Sequence, residues 1–169
     1  INGHLPDLEL FIAVLFVAGI VFPFVIIFIS YLAWWYKQWA TRKAFSKPPF
    51  DQLHELGFSD ALQGEKTKWA FTEEIKAGKI NGFDFVLDVL YDKRHIIEAR
   101  AFPAWKMIDK NEYKRLSTEF EEHDITFDTY YLVKQYNTRK LSAFTIHDLK
   151  SDLEEFTGIL KRNGFEPHE

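Results

Sequence analysis

The feature that most constrains this chain is an uncharged apolar run near its N-terminus. No charged residue occurs between Glu9 and Lys37, and residues 10–36 are nearly all apolar. A helix of that length, at about 1.5 Å rise per residue, is roughly 40 Å long, against about 30 Å for the hydrocarbon core of a bilayer. The run therefore predicts a single transmembrane helix, which spans with a tilt or with its ends among the headgroups.

Besides a retained membrane anchor, the run could be a buried helix of a soluble protein or a cleaved signal peptide. A helix of this length in a soluble protein would show a polar face. A cleaved signal peptide has a shorter apolar region, with basic residues before it and small residues after it. Here Asp7 and Glu9 precede the run, and aromatic residues follow it. The pattern favours a retained anchor, although the chain begins with Ile1 rather than Met and its true N-terminus stays open.

The charges on either side of the run predict its orientation. No Lys or Arg precedes it, whereas Lys37, Arg42, Lys43 and Lys47 follow, and positive charge stays on the cytoplasmic side. We expect a bacterial inner membrane, with the matrix side of a mitochondrial inner membrane as the alternative. Aromatic and basic residues at this end are expected to anchor the helix at the headgroups: Tyr31, Trp34, Trp35, Tyr36, Lys37, Trp39, Arg42 and Lys43.

Small residues within the run predict contact with another helix. At about 100° per residue, Gly19, Ser30 and Ala33 fall near one stripe, with Pro23 close to it. Pro23 should also kink the helix, because it has no amide hydrogen to donate. The alternative is that Gly and Pro are simply common in membrane helices. No ionisable residue lies within the span, so the helix itself is not expected to conduct protons or ions.

The rest of the chain divides into a linker and one domain. Residues 1–9 form a short extracytoplasmic segment, 10–36 the span, 37–49 a basic juxtamembrane linker that ends in paired prolines, and 50–169 a soluble domain. Residues 48–169 carry 17 basic and 23 acidic side chains, a net of −6.

Within the domain, periodicity and turn residues predict alternating helices and strands. A short helix over 50–56 ends at Gly57, and strands cover 68–75, 83–91 and 95–102. Glycines and an Asn-Gly pair over 77–82 predict a hairpin turn, and Pro103 is expected to end the third strand.

The second half predicts a helix over 110–122, started by Asp109 and Glu112, then strands over 125–136 and 139–144. A last helix starts at Thr145 and Asp148 and ends at 163–164. The prediction is an α+β, two-layer domain with an antiparallel sheet and the order α-βββ-α-ββ-α. This order resembles the small α+β domains of type III secretion chaperones and related bacterial regulators, over most of residues 50–165. The resemblance rests on topology and carries over no functional residue.

No residue pattern predicts catalytic chemistry. The chain has no Cys, which excludes disulfides, thiolate metal sites and a thiol nucleophile, and its net charge of −4 argues against nucleic-acid binding. The phosphate-binding and nucleophile-elbow motifs are absent from the sequence. Asp84 and Asp88 share one face of a strand and could act as an acid–base pair, but they are interpreted as the polar face opposite its apolar residues. The pair His95 and Glu98 and the acidic segment 121–124 around His123 are interpreted as surface groups. We therefore predict no catalytic, cofactor-binding or metal-binding residues.

Two functions follow as hypotheses. The first is a non-catalytic, single-pass accessory or structural subunit of a larger membrane complex, whose partners are other membrane subunits and the bilayer. The second is a membrane-tethered adaptor or sensor that binds a soluble protein or peptide. Aromatic residues that are candidates for such binding, or alternatively for the core, are Trp105, Tyr130, Tyr131 and Tyr136. A membrane-bound enzyme is a third possibility.

Overall fold

A computed structural model describes residues 8–63, 73–90, 92–104, 108–128 and 130–167 of the chain. The chain divides into two compact units, Ile1–Lys37 and Gln38–Glu169. The described residues of the first unit are helical, and the second unit is a mixed α+β domain.

The apolar run is helical, as predicted, and is interrupted by a change of helical geometry. Helix α1 covers Leu8–Phe16, a π-helical turn covers Val17–Val21, and helix α2 covers Phe22–Phe45. The π turn closes with a bond from the amide of Phe22 to the carbonyl of Val17. Pro23 follows directly and has no amide hydrogen for the carbonyl of Gly19, four residues before it. The distortion expected at Pro23 thus takes the form of a π turn on its N-terminal side.

The domain begins with the last turns of α2 and continues through three helices and seven described strands. A 3₁₀ helix covers Phe50–Leu56, and the left-handed Gly57 (φ +82°) ends it, as predicted. The remaining elements are β1 Ser59–Gln63, β2 Glu73–Ile80, β3 Phe83–Val89, β4 Ile96–Ala104, α3 Lys110–Glu121, β5 Ile125–Phe127, β6 Leu132–Asn137, α4 Ile146–Arg162 and β7 Glu166–Pro167.

The strands form one antiparallel arrangement in the order β1-β2-β3-β4-β6-β5, with β7 beside the end of β4. The turn between β2 and β3 is the predicted Asn-Gly pair. Asn81 (φ +51°) and Gly82 (φ +91°) both adopt left-handed backbone, as a two-residue hairpin requires. The antiparallel sheet and the α+β class predicted from the sequence are therefore confirmed.

The core lies on one face of this sheet. Alternate residues of β3 (Phe83, Phe85, Leu87 and Val89) point into it and are at most 2% exposed. Helix α4 contributes a stripe at spacings of three and four, in which Phe156 meets the ring of Phe85 edge-on at 5.5 Å. Both helix starts expected from the sequence are present. Asp109 caps α3, and Thr145 and Asp148 form a full capping box on α4.

Several predicted strands are wrong in extent. The segment 125–136 is a hairpin rather than one long strand, because the chain reverses where Asp128 N donates to Tyr131 O at 3.0 Å. The segment 139–144 forms turns, not a strand; Asn137 Oδ1 accepts from Arg139 N at 3.1 Å and directs the chain away from the sheet.

At the other end of the domain, the polar segment 59–63 forms an edge strand that was not predicted, and β2 extends to Ile80. Of the strand predicted over 68–75, residues 68–72 lie outside the described part of the chain. Pro103 does not end β4: it lies opposite Pro167 of β7, where neither ring has an amide hydrogen to donate. The observed order, 3₁₀-ββββ-α-ββ-α-β, therefore replaces α-βββ-α-ββ-α.

Candidate functional site

The apolar helix exposes the small residues predicted to contact another helix. Gly19, Pro23 and Ser30 are exposed and Ala33 is half-buried. A methyl group added at Gly19 would meet no atom within 4 Å. The 36 residues Leu10–Phe45 form a helix long and apolar enough to cross a membrane, and their most apolar window has a mean hydropathy of 3.1 with none of it buried. By length and composition, a signal sequence meets the same description.

The predicted headgroup anchors remain at the surface for the most part. Tyr31, Trp35, Tyr36 and Trp39 are exposed, and the ring of Trp34 lies 5.8 Å from that of Tyr31. Lys37 is half-buried and Lys43 exposed. Aromatic rings with a polar edge suit the boundary between hydrocarbon and water.

Arg42 has a different role from the one expected of an anchor, since it belongs to the packing of the domain. Its guanidinium donates two bonds to the carboxylate of Glu74 on β2, from Nε to Oε2 at 2.8 Å and from Nη2 to Oε1. Gln38, one helical turn earlier, accepts from the amide of Glu74 at 3.2 Å. The bond from Arg42 lowers the pKa of Glu74, against the opposing effect of burial. These contacts join the end of α2 to the sheet.

A groove of about 900 Å³ lies beside this junction, between the end of α2 and strands β1 and β2. Its charged side chains are paired across it: Arg42 with Glu74, and Lys76 with Asp60. The walls between them are apolar and include Phe45, Leu62 and Ile75. The groove therefore offers a neutral surface beside the edge strand β1.

A buried ionic cluster lies on the face of the sheet opposite the core. Arg100 donates to Glu98 Oε2 from Nη2 at 2.8 Å and from Nε at 3.1 Å, and its Nη1 lies 3.5 Å from Asp88 Oδ2. Gln135 donates to the other oxygen of Glu98 at 3.0 Å, and the amide of Val89 donates to Asp88 Oδ1 at 2.7 Å. Burial alone would lower the pKa of Arg100, but its bond to Glu98 and the charge of Asp88 raise it overall. The cluster joins three adjacent strands through charged hydrogen bonds.

The two carboxylates on one face of β3, Asp84 and Asp88, have separate ion-pair partners. Asp84 and Asp88 share the polar face of β3, as predicted, but Asp84 pairs with Lys79 at 3.1 Å while Asp88 faces Arg100. His123 Nδ1 lies 3.7 Å from Glu155 Oε1. Among the residues that the structure describes, no three His, Asp or Glu side chains are placed to hold a metal ion.

Tyr136 lies in the core, which corrects its place among the candidate surface aromatics. Its side chain is packed between the rings of Phe50 and Phe144, and its hydroxyl donates to Asp152 Oδ2 of α4. Lys134 Nζ lies 2.6 Å from the other oxygen of that carboxylate. Burial, followed by the charge of Asp152 and the bond to it, raises the pKa of Tyr136 well above its usual range.

The other candidate aromatics have different surroundings. Tyr130 is 71% exposed. Tyr131 is half-buried, with its ring 5.7 Å from Phe102 and 5.5 Å from the guanidinium carbon of Arg100. Trp105 lies outside the described residues. Among the members of the predicted set that the structure describes, Tyr130 is the exposed one.

No protein-family model matches the sequence. Neither a curated protein nor a solved structure matches it significantly.

Proposed function

We propose that this protein is a single-pass membrane protein whose domain faces the cytoplasm and serves as a non-catalytic accessory subunit of a larger membrane complex. The observation that carries the proposal is the continuity of α2. The helix runs from Phe22 to Phe45 without a break, and its last turns contribute Ala44 and Phe45 to the core of the domain.

This continuity favours an anchor over a cleaved leader. A signal peptide is removed at a small-residue site that follows a short apolar region. Here the residues after the apolar window are helical and one side of the helix packs into the domain, with Thr41 at 2% exposure and Gln38 bonded to β2. A domain that contains the end of this helix is consistent with a helix that stays attached.

The charge asymmetry supports the orientation. Asp7 and Glu9 stand before the apolar run and the basic residues stand after it, as in proteins whose C-terminal part stays in the cytoplasm. The exposed stripe of Gly19, Ser30 and Pro23 supports a helical partner in the membrane, because small residues permit close approach of two helices.

The test is co-purification of the full chain from membranes in a mild detergent, with the particle mass measured and co-eluting chains identified. We expect a large particle with stoichiometric membrane partners. Ser30→Leu, alone or with Gly19→Leu, should reduce the recovered partner severalfold. Phe28→Leu is the matched control, because Phe28 lies about 200° from Ser30 around the helix and gains the same side chain. Recovery of only a monomer or homodimer would contradict the proposal.

A second function is favoured by the groove beside β1. Among the described residues β1 is paired only along its β2 side, and an extended peptide can add to such an edge. An adaptor of this kind would recover a soluble protein in the same experiment, and the Ser30 variant would retain it.

A further inference from the structure

We propose that the domain binds the phosphate of an anionic phospholipid headgroup in a basic groove formed by Lys43, Lys47, Arg94, His95 and Arg139, beside Trp39. This groove has a volume of about 480 Å³. The proposal rests on the membrane anchorage proposed above and adds to it a lipid partner and a site. We refer to these residues as the headgroup groove.

The fold brings together residues that are far apart in the sequence. Strand β4 pairs with both β3 and β6, so the turn before β4 and the turn after β6 lie at the same end of the sheet. The amide of Thr138 donates to the carbonyl of His95 at 2.8 Å, and its hydroxyl donates to the same oxygen at 3.2 Å. These bonds hold Arg94 and Arg139, 45 positions apart in the sequence, in one wall.

The opposite wall is the end of α2. Ala40 and Ala44, at 6% and 5% exposure, are small and buried, so the helix lies close to the sheet end. Between them Lys43 projects outward, with Nζ 4.9 Å from the ring centre of Trp39, while Lys47 follows just after the helix. The electrons of an indole ring attract a lysine ammonium above it, which favours this position of the Lys43 side chain.

The charge of the groove differs from that of the domain around it. Two lysines, two arginines and one carboxylate, Asp92, line it. Residues 48–169 as a whole carry a net charge of −6. Lys43, Lys47, Arg94 and Arg139 are all exposed. Because these cations are concentrated at one place on an acidic domain, the site favours an anion, and arginine forks suit phosphate oxygens.

Chain connectivity favours a lipid over a free phosphate. Lys43 follows Tyr36, one of the predicted headgroup anchors, by seven residues. Even a fully extended chain would therefore place Lys43 no more than about 25 Å from Tyr36. Trp39 is 44% exposed at the groove, and tryptophan prefers the headgroup level. The groove is therefore tethered near a surface rich in phosphate diesters.

The test uses the full chain in a neutral detergent, with bound lipid counted by native mass spectrometry. We expect phosphatidylglycerol to bind in preference to phosphatidylcholine and the preference to weaken as salt is raised. Arg94→Ala and Arg139→Ala should each weaken binding about fivefold, which corresponds to the usual contribution of one cation near an anionic surface. Arg162→Ala removes one exposed cation outside the groove, so it is the charge-matched control for each single variant and should leave binding unchanged.

Three results would overturn the proposal. Equal affinity for the two lipids would exclude charge recognition, and equal losses in the groove and control variants would exclude this site. Inorganic phosphate that displaces phosphatidylglycerol at comparable concentration would identify a free-phosphate site instead. Carbonate extraction of membranes separates these results from failure of the anchorage, because a chain that resists extraction and shows no lipid preference contradicts the headgroup groove alone. Thermal unfolding confirms that each variant is folded.

Discussion

Arg100 Nη2 lies 2.8 Å from Glu98 Oε2, on the same face of strand β4. Glu98 is also the cross-strand partner of Asp88 on β3. The two carboxylates are therefore opposite one another in the sheet, and the guanidinium of Arg100 contacts both. Their side chains are 11% and 4% exposed, so water does little to screen them.

Replacing Arg100 should destabilise the domain. We expect Arg100→Met to lower the free energy of unfolding by about 3 kcal/mol, because it leaves two buried carboxylates facing each other. Urea unfolding at pH 7 measures the loss. Arg162→Met, at an exposed position, should change the free energy by less than about 0.5 kcal/mol.

Tyr136 should make stability fall at alkaline pH. Its folded pKa is raised, first by burial and then by Asp152, so its contribution is complete below about pH 10, the unfolded pKa, and is lost as the pH rises toward the folded value. We expect Tyr136→Phe to cost about 1–2 kcal/mol near pH 8, because the bond to Asp152 is lost.

The difference between wild type and Tyr136→Phe should then shrink as the pH rises above about 10, the unfolded pKa. Denaturant unfolding on both sides of this pH is the measurement. Tyr130→Phe is the control and should follow the wild type, since Tyr130 is 71% exposed. A difference that stays constant with pH would show that the Tyr136 hydroxyl does not titrate differently in the two states.

The start of α4 should depend on Thr145. Its Oγ1 accepts from Asp148 N at 3.2 Å, and its own amide donates to Asp148 Oδ2 at 2.8 Å. We expect Thr145→Ala to cost about 1 kcal/mol. Ser142→Ala, three residues earlier in an exposed turn, should be neutral in the same thermal unfolding experiment. Equal effects of the two substitutions would contradict the role of the cap.

Asp148 adds a pH dependence to the same cap. The bonds from the backbone and hydroxyl of Thr145 lower its pKa, so its contribution is present above about pH 4 and is lost as the pH falls through the folded value. The effect of Asp148→Asn on unfolding should therefore be larger at pH 7 than at about pH 2.

The elements that could be predicted from the sequence are those whose signals are local. The stripe of α4 and its cap, the left-handed Gly57 and the Asn81-Gly82 turn each depend on residues within one turn of each other. The strand predictions were wrong where the residue types fit more than one structure. Apolar and β-branched residues over 125–136 fit one long strand equally well, and only the reversal at Asp128 separates β5 from β6.

The candidate sites were less predictable because they depend on contacts between residues that are far apart in the sequence. The pairing of Arg42 with Glu74 joins residues 32 positions apart, and nothing in the spacing of either residue indicates it. Arg94 and Arg139 meet in the headgroup groove only because β4 lies between β3 and β6. The sequence left Tyr136 as a candidate either for a surface patch or for the core, and the structure shows that α4 and the 3₁₀ helix cover it.

The central claim is a retained anchor with the domain on the cytoplasmic side. Because the chain has no cysteine, single substitutions give unambiguous labelling sites. His4→Cys lies before the span, and Ser142→Cys lies in an exposed turn of the domain. In intact spheroplasts a membrane-impermeant maleimide should label the His4→Cys chain, and it should label the Ser142→Cys chain only after permeabilisation, with both chains in the carbonate-resistant membrane fraction. Labelling of Ser142→Cys in intact spheroplasts, or a shortened chain in the soluble fraction, would contradict the account.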